Sequence, residues 1–251
     1  MTKIPIKGEI VDNDTATVYD WLGYDAVSPK KVENALNGAD DEVELDVASG
    51  GGDVFAASEI YTMLKNYAGK VVVNIQGLAA SAASVIAMAG DVVNMSPTAQ
   101  MMIHKAWTIT MGNSDDLEHD SKMMNSTDQS IVNAYEAKTG LKRDEILKMM
   151  ADETWMTAQD AVDKGFADAV STGQKAEEPV QVFNAKSQPL LNKQAVNKIK
   201  NLMAKARQAK PVDKVETPDQ TQKNDKKPTP SLRDQKLAIL FGKDDEKDGN
   251  Q

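Results

Sequence analysis

The chain has 251 residues, of which 41% are hydrophobic and only 5% aromatic, with 13 Met, no Cys and a formal net charge of −9. That is apolar material for one large domain or for a domain with an appendage. The missing cysteine excludes disulfides and thiolate chemistry, and no apolar run reaches membrane-spanning length or forms a secretory h-region, so a soluble, cytoplasmic protein is expected. Charge is uneven: residues 1–173 hold 13 basic and 27 acidic side chains, and the remainder 16 and 11. An acidic body argues against nucleic acid as its partner.

In chain order, "KIPIKGEI" alternates as a strand, and Ser28-Pro29 reads as N-cap and first position of a helix towards Leu36, closed near Gly38. "EVELDV" (42–47) is a second strand, "SGGGD" a turn, and Val54 to Tyr67 carries Phe55, Ile60, Met63, Leu64 and Tyr67 at helical spacing. "KVVVNI" is a third strand, followed by a short helix through "GLAASAASVIAMAG"; "DVVNMS" and "QMMIHKA" are two more strands. A long helix is predicted from about Ser114 to Lys138, a shorter one from about Arg143 to Met150, then helix "TAQDAVDKG" and a last strand "FADAV". Strands joined through helices imply parallel pairing with right-handed crossovers, an α/β domain over residues 1–172. Residues 173–251 change character. Six of the nine prolines lie there, with Lys, Gln, Asn and Asp between them, so a polar, largely disordered tail is expected. Two short helices are candidates within it, about Pro189–Gln208 and "SLRDQKLAILFG" (231–242).

Three local features carry chemistry. "ASGGGDV" places Gly50 to Gly52 directly after a strand, where glycine lets backbone N–H groups approach a bound atom. No G-x-x-x-x-G-K-S/T phosphate loop occurs in the chain. Ser81 stands at a strand-to-helix junction beside N–H groups that a helix leaves unpaired, a place for a developing oxyanion. An isolated serine there is more often a plain N-cap. His104 closes an apolar run at a strand end, and a serine nucleophile needs such a base, although a lone strand-end histidine is more often structural. His119, the other of the two histidines, sits in the charged "DDLEHDSK". No metal-ligand cluster is visible, and serine-based hydrolysis calls for neither metal nor cofactor.

Together these features resemble the Clp protease proteolytic subunit (ClpP) family of self-compartmentalised serine proteases. "ASGGGDV" stands for its Asn-Ser-Pro-Gly-Gly-x-Val, "GLAASAAS" for Gly-x-Ala-Ala-Ser, "MMIHKA" for Met-Ile-His-Gln-Pro, and "TWMTAQDAVDKGFAD" for Ser/Thr-Ala-x-x-Ala-x-x-x-Gly-x-x-Asp. The likeness covers about residues 3–170, and the phage, capsid-associated (head maturation) branch looks closest. The resemblance implies a ClpP/crotonase-like spiral of strand–helix units with a long handle helix, assembled as a homo-oligomeric ring, and a serine endopeptidase acting on protein substrates such as capsid or scaffold chains.

By the same resemblance Ser81 is the nucleophile and His104 the base, the N–H groups of Gly52 and Ala82 form the oxyanion hole, and Val54, Trp107, Thr108 and Ile109 line an extended substrate. For the third triad member, register points to Glu153 and residue type to Asp152. Departures include Lys105 and Ala106 in place of Gln-Pro, with Lys105 expected to lower the proton affinity of His104 through like charge. The chain starts almost at its first strand, which weighs against, without removing, an AAA+ unfoldase as partner. Two other readings stand beside this one. A crotonase-type acyl-CoA enzyme would share the fold but needs no Ser–His pair, and a non-catalytic scaffold or adaptor would carry a vestigial site.

Overall fold

The structure is a computed structural model and describes residues 1–39, 41–171 and 193–208. β1 (Thr2–Lys7) lies parallel to β4 (Glu42–Ser49), with Ile4 opposite Leu45 and Ile6 opposite Val47. β4 in turn lies parallel to β5 (Lys70–Ala80), the strand on which the site depends. The first half of β5 pairs with β6 (Val92–Met95), which carries β9 (Ala169–Val170) at the sheet edge. Its second half, Leu78 to Ala80, pairs with β7 (Gln100–Ile103). β8 (Thr154–Thr157) adds antiparallel to β7. The result is one mixed, mostly parallel seven-stranded sheet.

Strand alternation accounts for the core. Val43, Leu45 and Val47 of β4 and Val71, Val73 and Ile75 of β5 point to one face and are almost wholly buried. Helices α2 (Pro29–Leu36) and α3 (Val54–Lys65) connect these strands, and Ile60 and Leu64 of α3 join the same core. The side chain of Asp53 caps α3, accepting from the N–H groups of Phe55 and Ala56. α4 (Ala82–Ala87) leaves the end of β5 and is buried throughout. α5 (Ser114–Thr139) is a 26-residue helix with a reciprocal capping box at Asn113 and a left-handed Gly140 at its end. Of its residues, Ile131 and Tyr135 are core, whereas Met123 is exposed. α6 (Arg143–Ala151) and α7 (Ala158–Asp163) complete the helices of this region.

Several elements differ from expectation. β5 does not stop at Gly77 but runs three residues further, since Leu78 to Ala80 find partners on β7. The N-terminal strand breaks at Gly8 (φ 81), and β2 (Glu9–Ile10) turns away to pair with β3 (Ala26–Val27). Between them lies α1 (Asn13–Leu22), absent from the sequence reading. Its signals are an Asp12 side-chain cap on Thr15 N and a left-handed Gly23, but Asp14, Thr15, Thr17 and Asp20 blur its apolar stripe.

Part of the tail is described as α8 (Lys193–Gln208), which lies against α1 through Val196, Ile199 and Met203 on Val18, Trp21 and Leu22, with Lys200 paired to Asp14 at 2.7 Å. The second tail helix, 231–242, lies outside the described residues. Among the described residues no helix is long and apolar enough to cross a membrane.

Leu45, wholly buried between Ile4 and Val73, tests this core. Leu45→Ala should cost about 2–5 kcal/mol, read as a lower urea midpoint with an unchanged slope.

Candidate active site

Ser81 follows the last residue of β5 and precedes α4, at φ 55 and ψ −124, and is one of two non-glycine residues at positive φ among the described residues. For a residue with a Cβ this lies outside the well-populated regions, at a cost on the order of 1–3 kcal/mol. The turn is held from all sides. Its N–H donates to Met102 O at 2.9 Å, and its carbonyl accepts from Ser84 N at 2.9 Å and from Ser84 Oγ at 2.6 Å. Since Ser84 spends its proton on that carbonyl, the Tyr135 hydroxyl, 2.8 Å away, donates to Ser84 Oγ. Burial holds the Tyr135 phenol well above its ordinary pKa, so it remains a donor. The Ser81 hydroxyl makes no capping bond to α4. It lies instead 2.7 Å from His104 Nε2.

His104 is delivered by β7, which pairs with β5 one strand over. The two following peptides are tied down, Lys105 N to Met150 O at 3.2 Å and Ala106 N to Asp128 Oδ1 at 2.8 Å. Burial lowers the pKa of the imidazole, and the charges of Glu153 and Asp128 work in the opposite direction. Like-charge proximity of Lys105 is therefore not what lowers it.

The two acids left open in the sequence are separated by the turn after α6. Asp152 caps the helix and is exposed. Glu153 adopts φ 48, is half-buried, and accepts from Trp155 Nε1 at 3.3 Å. Of these two acids, it is Glu153 whose charge acts on His104. Asp128, which sequence reasoning missed, is 5% exposed. Its signal was its place on the apolar stripe 128, 131, 132, 135 of α5, at helical spacing.

The glycine loop abuts the serine turn. A Cβ on Gly51 would lie 2.7 Å from Ala80 O, 2.8 Å from Ser81 Cβ and 3.0 Å from Ala82 N. Gly52 sits in an isolated parallel bridge with Ile10, which donates to Gly51 O and accepts from Asp53 N. Ile10 thus takes neither polar group of Gly52, while the N–H of Ala82 belongs to the first turn of α4, where helices leave donors unpaired. Ser49, given no role by the sequence reading, anchors the loop by donating to Gly8 O at 2.6 Å and accepting from Gly51 N at 3.1 Å.

Val54 opens α3 next to the loop and is half-buried. Trp107 and Ile109 are 68% and 83% exposed, and Thr108 is exposed between them. Among the described residues no group of three or more His, Cys, Asp or Glu converges as a metal site.

The sequence model of the Clp protease family matches residues 32–174. The chain belongs to the Clp protease family. Among curated relatives, the ATP-dependent Clp protease proteolytic subunit of Bacteroides fragilis is 28% identical over 174 residues, 68% of this chain and 79% of that protein. The one from Deinococcus radiodurans is 29% identical over 131 residues, 51% of this chain and 64% of its own. Proteolytic subunit 1 of Chlamydia abortus is 32% identical over 129 residues, 49% of this chain and 67% of its own.

The Clp protease match takes in Gly52, Ser81, His104 and Glu153 but begins after β1, α1 and the bridging Ile10. The close packing of the glycine loop on the serine turn gives a direct test. Gly51→Ala should leave a folded protein with a thermal midpoint lower by several degrees, because the added methyl group forces the Ser81 turn to shift.

Proposed function

We propose that the chain is a serine endopeptidase of the ClpP type that hydrolyses peptide bonds in protein substrates. The observation that carries this reading is the 2.7 Å contact between His104 Nε2 and the hydroxyl of Ser81, a serine held in a strained backbone and making no helix cap. In this reading His104 Nε2 takes the Ser81 proton as Oγ attacks the scissile carbonyl, then returns it to the leaving amine. Glu153 is the third member of the triad, since its charge favours the imidazolium. The N–H groups of Gly52 and Ala82 receive the oxyanion, a contribution worth about a hundredfold or more per donor. Val54 and the segment from Trp107 to Ile109 line the extended substrate.

Membership in the family supports assembly into a homo-oligomeric ring, as do the exposed apolar side chains of Trp107, Ile109, Met111, Leu117 and Met123. The likeness to the capsid-associated branch points to capsid or scaffold chains as substrates. The relatives are named ATP-dependent proteolytic subunits; for this chain an AAA+ unfoldase is the less favoured partner, and peptides are hydrolysed without it. A crotonase-type acyl-CoA enzyme needs no Ser–His pair, and the contact between the two weighs against it.

Labelling with a fluorophosphonate at neutral pH, followed by intact mass and peptide mapping, tests the assignment. Adduct is expected on Ser81, none in Ser81→Ala, and labelling at least about a hundredfold slower in His104→Ala. Glu153→Gln should slow the reaction strongly and Asp152→Asn little; the reverse order would reassign the acid. No adduct on Ser81 in the unmutated protein sinks the protease reading. The pH dependence has a defined sign. Because burial lowers the His104 pKa, the neutral base form is populated at neutral pH. The labelling rate should therefore rise with pH through a value below that of an ordinary histidine and be level by pH 7.

A further inference from the structure

Asp128 is a carboxylate on the buried stripe of α5, one turn before Ile131 and Val132. A carboxylate removed from water costs several kcal/mol, on the order of the charge's lost hydration, unless the protein gives it partners. Its Oδ1 accepts from Ala106 N, the second N–H after His104. In the ClpP pattern that position is a proline, which has no N–H to give. Here Ala106 supplies the donor and α5 supplies the acceptor. With Lys105 N held by Met150 O, the segment leaving β7 is clamped by α5 on one bond and by the end of α6 on the other.

An amide could accept the same N–H equally well, so the bond alone does not account for a charged group. The groups around the imidazole are Ser81 at the head of α4, Asp128 on α5, Glu153 in the turn before β8, and Lys105 next along its own segment, with Asp152 exposed beyond the helix end.

We propose that Asp128 is a positioning residue for His104, clamping the peptide that follows the histidine and supplying, beside Glu153, a second negative charge that favours the imidazolium. Asp128 takes no proton: the Ser81 Oγ–H bond breaks, the proton passes to His104 Nε2, and the positive charge so formed lies within reach of two carboxylates. The inference rests on Ser81 and His104 acting as nucleophile and base.

The test uses the full chain carrying His119→Gln, which leaves one imidazole of the two, and titrates His104 by NMR with and without Asp128→Asn. The asparagine Oδ1 keeps the bond to Ala106 and removes only the charge. Loss of an anion disfavours the imidazolium, so the His104 pKa should fall by about half a unit to one unit. Fluorophosphonate labelling at neutral pH should slow by about threefold to tenfold, with the thermal midpoint little changed. Ala106→Pro is the complementary variant, removing the N–H and keeping the charge. It should slow labelling without lowering the His104 pKa, and labelling at the unmutated rate would overturn the clamp. An unchanged His104 titration in Asp128→Asn overturns the proposed charge role whatever the labelling shows. Absence of adduct on Ser81 in the unmutated chain overturns the nucleophile reading instead, so the two ideas fail separately.

Discussion

The constraint on which the rest of the structure depends is the backbone of Ser81. A φ of 55 with ψ −124 is not a conformation that a serine chooses, and the surroundings over-determine it. β7 fixes the N–H through Met102, α4 fixes the carbonyl through Ser84, and α5 fixes Ser84 through the buried hydroxyl of Tyr135. The glycine loop fills the remaining side so closely that a methyl group would not fit. Strain of this kind explains why a hydroxyl at a helix start faces a histidine and not its own helix. In a relaxed N-cap the oxygen would satisfy the second or third N–H of the helix; here the turn throws it the other way.

The same arrangement sets the electrostatics. His104 is far enough from water that its charged form is disfavoured. The charges of two carboxylates act in the opposite direction. Glu153 and Asp128 arrive from different elements, one from a left-handed turn after α6 and the other from the middle of α5. The balance between burial and these charges is thus set by how α5 and the end of α6 hold the segment that follows β7, not by residues adjacent to the histidine in sequence.

Much of this was legible in the chain because the signals were local. Alternation marked β1 and β4, proline and serine marked the start of α2, and the tandem glycines and the Ala-Ala-Ser run marked the candidate site. What was not legible depends on tertiary partners. Gly77 reads as a strand end, yet β5 passes through it because β7 offers a ladder beyond. A one-residue choice between Asp152 and Glu153 is finer than a motif can resolve, and the positive φ at Glu153 is chosen by the turn, not by residue type. Asp128 looks like any charge on a polar helix until the segment after His104 is laid across it. α1 is hidden in the sequence because threonines and aspartates occupy much of a face that burial by α8 and the β2–β3 pair makes useful.

The antiparallel pairing of β8 on β7 has a consequence for the order in which the protein is made. Synthesis delivers domains from the N-terminus at roughly 5–20 residues per second, so Ser81 and His104 leave the ribosome several seconds before Glu153 and the strand that covers β7. Until residues 154–157 arrive, β7 presents an open edge, and the turn that carries Glu153 has no strand to anchor it. A nascent chain therefore holds Ser81 and His104 before it holds the turn that carries Glu153 and the strand beside β7, and this end of the sheet is completed late, when nearly all of the rest is already in place.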